Sequence, residues 1–260
     1  MHEIAKLTGP EVAARLAAGA AVLLPMGSLE THGPQAPMGD YLMASAISLR
    51  IAAAAAVLGA DALVLPAIPF GGEDYFASVP GGVSLTVGLL QQLVEETLEQ
   101  VLKAGGRRLL VVNGHAGSIV PVEAAARVLR RRHGVVVPSL HLWRVAGAMH
   151  AELGGPPASL GHGGDPVYSV ALHLVPELCH PERARARHPE AEFLGLPISN
   201  FGTVRCAGVE FSAPIEVAEN APDGIACADS RGASAGRGAA IVDRIVTAGA
   251  AMLAQLKAVS

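Results

Sequence analysis

Apolar residues recur along this chain in two rhythms. Short, mainly apolar runs, at positions 20–24, 62–66, 108–112 and 135–140, alternate with longer stretches in which apolar residues return every three or four positions. Short runs bounded by glycine and proline read as buried strands, and the three-to-four spacing reads as helix. Helices are predicted from Gly9 through Leu16, stopping near Gly19, and over 40–58, closing at Gly59. Leu89, Leu90, Leu93, Leu98, Val101 and Leu102 set the stripe of a third helix over 86–104, capped by Gly105-Gly106. Further helices follow over 121–132, over 167–174 with Pro176 as terminator, and over 237–257. Strands and helices that alternate in this order build βαβ units, so the predicted class is α/β, with a parallel sheet and helices on both faces.

Chemistry gathers where the strands end. The first strand breaks at Pro25 and Gly27 and runs into a loop carrying Glu30, His32 and Asp40. In open parallel sheets the carboxyl edge of the strands is where ligands bind. Glu30 and His32 are two apart, so an extended segment points both to one side. Asp40 opens the next helix, where a carboxylate also serves as an N-cap. Taken singly, these are solvated loop charges and a polar surface histidine. The loop's three prolines and three glycines argue otherwise, because they fix a backbone that need not otherwise be fixed. Carboxylate oxygen and imidazole nitrogen together suit Zn, Mn or Fe(II) better than Ca or Cu(I).

Two further histidines share this setting. His115 lies in Asn113-Gly114-His115-Ala116-Gly117-Ser118, just past the third strand. His162 lies in Gly161-His162-Gly163-Gly164-Asp165-Pro166, immediately before the helix over 167–174. Alone, His115 could equally cap the following helix, and His162 could be a structural hydrogen-bonding residue. Three such histidines meeting at one sheet edge make a metal centre the better reading. A second Gly-rich edge loop, from Phe70 to Gly82, offers Glu73 and Asp74 as substrate contacts, and Ser118 is a third candidate. Glu123, eight residues past His115 on a helix, reads as a surface charge.

Composition narrows the partners. Hydrophobic residues make up 51% of the 260 and charged residues 16%, with mean hydropathy +0.40. No uninterrupted apolar stretch reaches about eighteen residues, so no membrane span is predicted. The apolar excess is largely alanine and fits a homo-oligomer that buries surface between subunits. Net charge is −4, and Arg130-Arg131-Arg132 ends a helix, where cations favour the dipole, so no nucleic-acid partner is expected. Cys179, Cys206 and Cys227 lie far apart without metal-ligand spacing, and the amino terminus lacks a basic region followed by an apolar core. Both features point to a reducing cytoplasm.

The segment from Gly27 through Pro34, Gly-Ser-Leu-Glu-Thr-His-Gly-Pro, followed by Pro37-Met38-Gly39-Asp40, resembles the signature of the creatininase (creatinine amidohydrolase) family. Asn113-Gly114-His115-Ala116-Gly117 resembles that family's second motif and His162-Gly163-Gly164 its third, in the same order and at similar separations. The resemblance implies a single-domain, three-layer α/β/α sandwich over 1–260, usually assembled as a hexamer. It implies two divalent metal ions (Zn, Mn or Fe) per subunit at the carboxyl edge of the sheet. Carried over by position, Glu30 and His115 bind one metal, His32 the other, and Asp40 bridges both. Members hydrolyse small cyclic or linear amides, and some cleave peptides or open oxidised sugar-like rings.

Such a pair of ions lowers the pKa of a shared water towards neutrality, which supplies a hydroxide to attack the substrate carbonyl. His162 is the candidate acid that protonates the leaving nitrogen. The expected reaction is hydrolysis of a small cyclic amide. Ring opening of a keto-cyclitol or lactone, and a non-catalytic metal- or metabolite-binding role, are the alternatives.

The chain departs from the family pattern at several points. Gly39-Asp40 stands where the family often has Gly-Thr-Asp, and the second motif carries Ala116 and Ser118. A glutamate common five residues after the third histidine is Val167 here. Asp165, two residues earlier, is either a replacement ligand or the N-cap of the following helix. Trp143 is the only tryptophan, so the aromatic substrate box of creatininase proper is nearly absent, which argues against creatinine itself.

Overall fold

Four short strands pair in parallel in the computed structural model, which describes residues 1–72, 75, 78–186, 191–200 and 202–259, with Asn200 described by its backbone alone. They are β1 (Ala21–Met26), β2 (Ala62–Val64), β3 (Leu109–Asn113) and β4 (Ser139–His141), in the order β2-β1-β3-β4. The principal helices are α1 (Gly9–Ala17), α2 (Asp40–Val57), α3 (Val87–Lys103), α4 (Ile119–His133), α5 (Leu142–Met149) and α6 (Val167–Leu174). A single turn, α7 (Val217–Asn220), and the long α8 (Ala235–Ala258) follow.

Alternation along the strands divides the core into two layers. Ala21 and Leu23 of β1, with Leu110 and Val112 of β3, pack against Met43, Ile47 and Ile51 of α2, Leu142 of α5, Tyr168 of α6 and Ile241 of α8. Their neighbours Val22, Leu24 and Met26, with Leu109 and Val111, pack on the other side against Leu16 of α1, Leu90 and Val94 of α3 and Val122 of α4. Successive strand residues face opposite ways, so the sheet is covered on both sides and the fold is the expected three-layer α/β/α sandwich. By length and composition α2 and α8 could each cross a membrane, but here both lay apolar residues into this core.

β1 runs two residues past the predicted end at Leu24 and includes Pro25. Odd residues of β1 bond towards β2, as in Ala21 N–H to Asp61 O and Leu65 N–H to Leu23 O, and even residues towards β3, as in Val22 N–H to Arg108 O. The missing N–H of Pro25 therefore falls on the β2 side, beyond the end of β2 at Val64, and costs the ladder nothing. The fourth strand is shorter than the apolar run at 135–140. It begins at Ser139, and the chain turns from His141 straight into α5, a helix absent from the sequence reading.

A second sheet was also not anticipated. It is antiparallel, with β5 (Glu192–Phe193), β6 (Leu196–Asn200), β7 (Thr203–Cys206) and β8 (Val209–Ser212) in that order. It encloses a small core of Ile198, Val204 and Ile215. β8 is exposed along its whole length, and although Val209-Glu210-Phe211-Ser212 alternates apolar and polar residues, four residues are too few to mark a strand.

Strand order fixes where a site can form. The chain leaves β1 through α2 towards β2 on one flank, and leaves β3 through α4 towards β4 on the other. The carboxyl ends of β1 and β3 thus flank the topological switch point, where doubly wound sheets open a crevice.

Candidate metal centre

Met26 and Asn113 are paired in register at the ends of β1 and β3, so the loops that follow leave the sheet side by side. Gly114 N–H donates to Met26 O at 2.8 Å, and Glu30 N–H donates to Met38 O at 3.0 Å, folding the first loop back on itself. The Asn113 side chain closes the second turn: Oδ1 accepts from His115 N–H at 3.0 Å and Nδ2 donates to His115 O at 2.8 Å. Two glycines are there for closeness. A Cβ on Gly27 would meet Asp40 Oδ1 at 2.4 Å, and one on Gly71 would meet the His115 ring at 2.5 Å.

These loops bring Glu30, His32, Asp40, His115 and His162 together. His115 Nε2 lies 3.0 Å from Glu30 Oε2, and His32 Nε2 lies 3.5 Å from Glu30 Oε1 and 4.0 Å from Asp40 Oδ2. His162 Nδ1 is 4.0 Å from Glu30 Oε1. The rings of His32 and His162 stack, with centroids 4.7 Å apart and planes inclined by 22°.

Each group is held from behind. His32 Nδ1 donates to Pro37 O at 3.3 Å and His162 Nε2 donates to Thr31 O at 2.6 Å. His115 Nδ1 is 2.8 Å from Ser118 Oγ, which also accepts from Gly72 N–H at 3.4 Å. Asp40 Oδ1 accepts from the N–H and hydroxyl of Ser28, and Asp40 Oδ2 accepts from Trp143 Nε1 at 3.2 Å. Gln35, fully buried, donates to both His32 O (2.7 Å) and Gly163 O (2.6 Å), tying the first loop to the third motif.

Burial and the neighbouring charges pull the titrating groups of the site in opposite directions. Burial, reinforced by the Glu30 charge, pushes Asp40 up to about 7. Burial alone would raise Glu30 too, but attraction and hydrogen bonding from His115, with smaller contributions from His162 and His32, hold it at about 2. Burial brings His32 down to about 3 and also lowers His162, so both rings are neutral lone-pair donors at neutral pH.

The donor set fits a divalent ion. Two ligand atoms each roughly 2.0–2.2 Å from one ion, at angles near 90–110°, lie about 3.0–3.5 Å from one another. The Glu30–His115 separation of 3.0 Å is of this kind. A cation would also relieve the cost of two buried carboxylates side by side.

Other sequence expectations are corrected. Asp40 does not cap α2: Gly39 occupies the cap, and the Asp40 carboxylate turns inward to Ser28 and Trp143. Ser118 is buried behind His115 as an orienting group and not as a substrate contact, because its hydroxyl is engaged by the ring and by Gly72. Asp165 is neither ligand nor cap. Pro166 takes the cap of α6, and Asp165 accepts from Arg237 Nη1 (2.6 Å), from Ser159 Oγ (2.6 Å) and from Ser169 Oγ, with His150 Nε2 at 3.2 Å. Val167, at the glutamate position, is buried among apolar residues. Glu73 and Asp74 lie outside the described residues. Glu123 is half-exposed as expected, and lies 3.6 Å from His141. Gln35, Trp143 and Ser28 were not singled out for these positioning roles, since their partners are set by tertiary folding.

Comparison with known proteins finds similarity along most of the chain. Residues 5–253 match the family model described as creatininase, creatinine amidohydrolase. The chain is 32% identical over 212 residues to the creatinine amidohydrolase of Pseudomonas putida, covering 73% of this chain and 78% of that protein. It is 30% identical over 158 residues to the mycofactocin precursor peptide peptidase of Mycolicibacterium smegmatis, covering 60% of this chain and 58% of that one. A crystal structure of creatinine amidohydrolase (creatininase) superposes with a TM-score of 0.77 at 28% identity, covering 97% of this chain and 96% of that one. A manganese creatininase superposes with a TM-score of 0.76 at 26% identity, covering 96% of each chain.

Proposed function

The chain belongs to the creatininase family and is a metal-dependent amidohydrolase, and from that premise we propose that it holds two divalent ions and hydrolyses the C–N bond of a small cyclic amide. The observation that carries this reading is the set of two carboxylates and two imidazoles, Glu30, Asp40, His32 and His115, buried together at the switch point between β1 and β3 with the His162 ring beside them. Glu30 and His115 would hold one ion, His32 the other, and Asp40 both. Divalent ions bound here would supply Lewis acidity and an acidified water able to act as nucleophile near neutral pH.

The chain's own residues prepare that chemistry. Pro37 O and Ser118 fix the ring orientations of His32 and His115, so that Nε2 of each faces the carboxylates. Trp143 and Ser28 hold Asp40 between the two halves of the site. Near-complete burial of Glu30, His32, Asp40 and His115 keeps bulk water away and supports a small substrate over an extended one. Peptide cleavage is the second reading, favoured by the similarity to mycofactocin precursor peptide peptidases.

A hydrolysis screen across cyclic amides, formamides, lactones, keto-cyclitols and short peptides tests the proposal. Turnover of cyclic amides that requires added Mn2+ or Zn2+ is expected. Turnover confined to peptides, or to substrates without a C–N bond, would overturn it.

A further inference from the structure

We propose that the groove between α4 and the outer edge of β4 binds a small polyanion, a molecule carrying two or more carboxylate or phosphate groups, at a site separate from the metal centre. The groove has a volume of about 600 Å3, within the range of small-molecule sites. Arg127, Arg130 and Arg131 reach it from α4 and Arg144 from α5, and Glu123 is the one carboxylate among the described residues that line it. A chain of net charge −4 thus gathers four guanidinium groups round one cavity.

Helix electrostatics does not account for this gathering. Cations in the last turn of α4 favour the dipole, which covers Arg130, Arg131 and Arg132. Arg127 lies before that turn, three and four residues from Arg130 and Arg131, where like charges repel. Arg144 stands in the first turn of α5, the end of a helix where a cation is disfavoured. Arg132, which points elsewhere, is neutralised by Glu95 and Glu99 of α3 at 3.4 and 3.0 Å. Arg127, Arg131 and Arg144 form no ion pair among the described residues. Their charges are left for something that enters the groove.

The strand beside the groove adds neutral donors. Asn113 Nδ2 donates to His141 Nδ1 at 3.1 Å, so the ring hydrogen of His141 is on Nε2. The His141 side chain is only 9% exposed, and its Nε2 lies 3.6 Å from Glu123, too far for a strong hydrogen bond. β4 is the outermost strand of its sheet. Val111 N–H donates to Pro138 O, and Val111 is paired with Ser139. In a parallel ladder of that register Ser139 N–H points away from β3, towards the open edge. Guanidinium forks match carboxylate and phosphate oxygens two by two. A ligand with two or more anionic groups is what can engage arginines from α4 and α5 at once.

Calorimetric titration at low ionic strength, with fructose 1,6-bisphosphate and with tricarballylate as probes, tests this on the purified protein and again after chelation. Saturable binding of at least one probe, one per subunit, is expected, unchanged by chelation and weakened by salt. Which probe binds tells phosphate from carboxylate. Arg144→Gln, and Arg127→Gln combined with Arg131→Gln, change only exposed positions. Each should bind the probe about tenfold more weakly, with metal content as in wild type. Binding that chelation abolishes would put the anion on the metal centre and overturn the inference. Wild-type affinity in both variants overturns it too, as does a wild-type protein that binds neither probe at millimolar concentration.

Discussion

Asp165→Asn separates a structural charge from a metal ligand by a large margin. The carboxylate is completely buried and accepts from Arg237 Nη1 and Ser159 Oγ at 2.6 Å each, and from Ser169 Oγ. Arg237 is itself only 10% exposed. Replacing one carboxylate oxygen by an amide NH2 turns an acceptor into a donor facing two other donors, and leaves the guanidinium without its counter-charge. Breaking a buried pair on one side costs about 3–5 kcal/mol. At roughly 2–4 °C per kcal/mol for a chain of this size, the melting temperature should fall by about 6–20 °C. Urea unfolding of metal-free protein at fixed concentration measures the loss, with metal uptake of the folded variant measured beside it. Adding Arg237→Met should cost less than the sum of the single changes, by about 1–3 kcal/mol, because the second change removes the orphaned charge. Stability within about 0.5 kcal/mol of wild type would refute the structural role. Loss of a metal ion at unchanged stability would make Asp165 a ligand.

Three further outcomes are expected. Ser118→Ala frees the His115 ring and should weaken metal binding by about 10–100-fold, measured by Mn2+ titration; unchanged affinity would remove Ser118 from the orienting set. In metal-free protein Asp40 is raised to about 7, so an ion must displace its proton below that pH. Apparent affinity should fall about tenfold per unit below pH 7 and level off above it, a slope that Asp40→Asn should abolish; a flat profile in wild type would contradict the assignment. Exposed Val57, Leu58, Val120 and Val136 on a weakly charged surface favour assembly, so light scattering should give a stable oligomer with six subunits as the leading expectation, and a monomer at micromolar concentration would refute it.

What the sequence made legible follows from how local each signal is. Glu30, His32, Asp40 and His115 were readable because each follows a buried strand within a Gly/Pro-rich turn, and the strands' apolar runs announce the sheet that gathers them. The sandwich was readable for the same reason, since its strands and helices carry their own periodicity. Partnerships across long separations were not. Trp143 meets Asp40 across 103 positions, Gln35 meets Gly163 across 128, and Arg237 meets Asp165 across 72. No spacing rule reaches that far, which is why Asp165 beside Gly163-Gly164 looked like a ligand and Gln35 drew no reading at all. The β5–β8 sheet escaped for a different reason: its strands are only two to five residues long, too short for a period to stand out.

The most direct test of the account is the divalent metal content of the purified protein, measured together with its rate of amide hydrolysis before and after chelation. The account predicts bound divalent ions, a rate that disappears with them, and recovery on adding Mn2+ or Zn2+. It further predicts that Asp40→Ala loses more metal than Glu30→Ala or His32→Ala, because Asp40 would serve both ions. Undiminished hydrolysis by protein stripped of metal would contradict it.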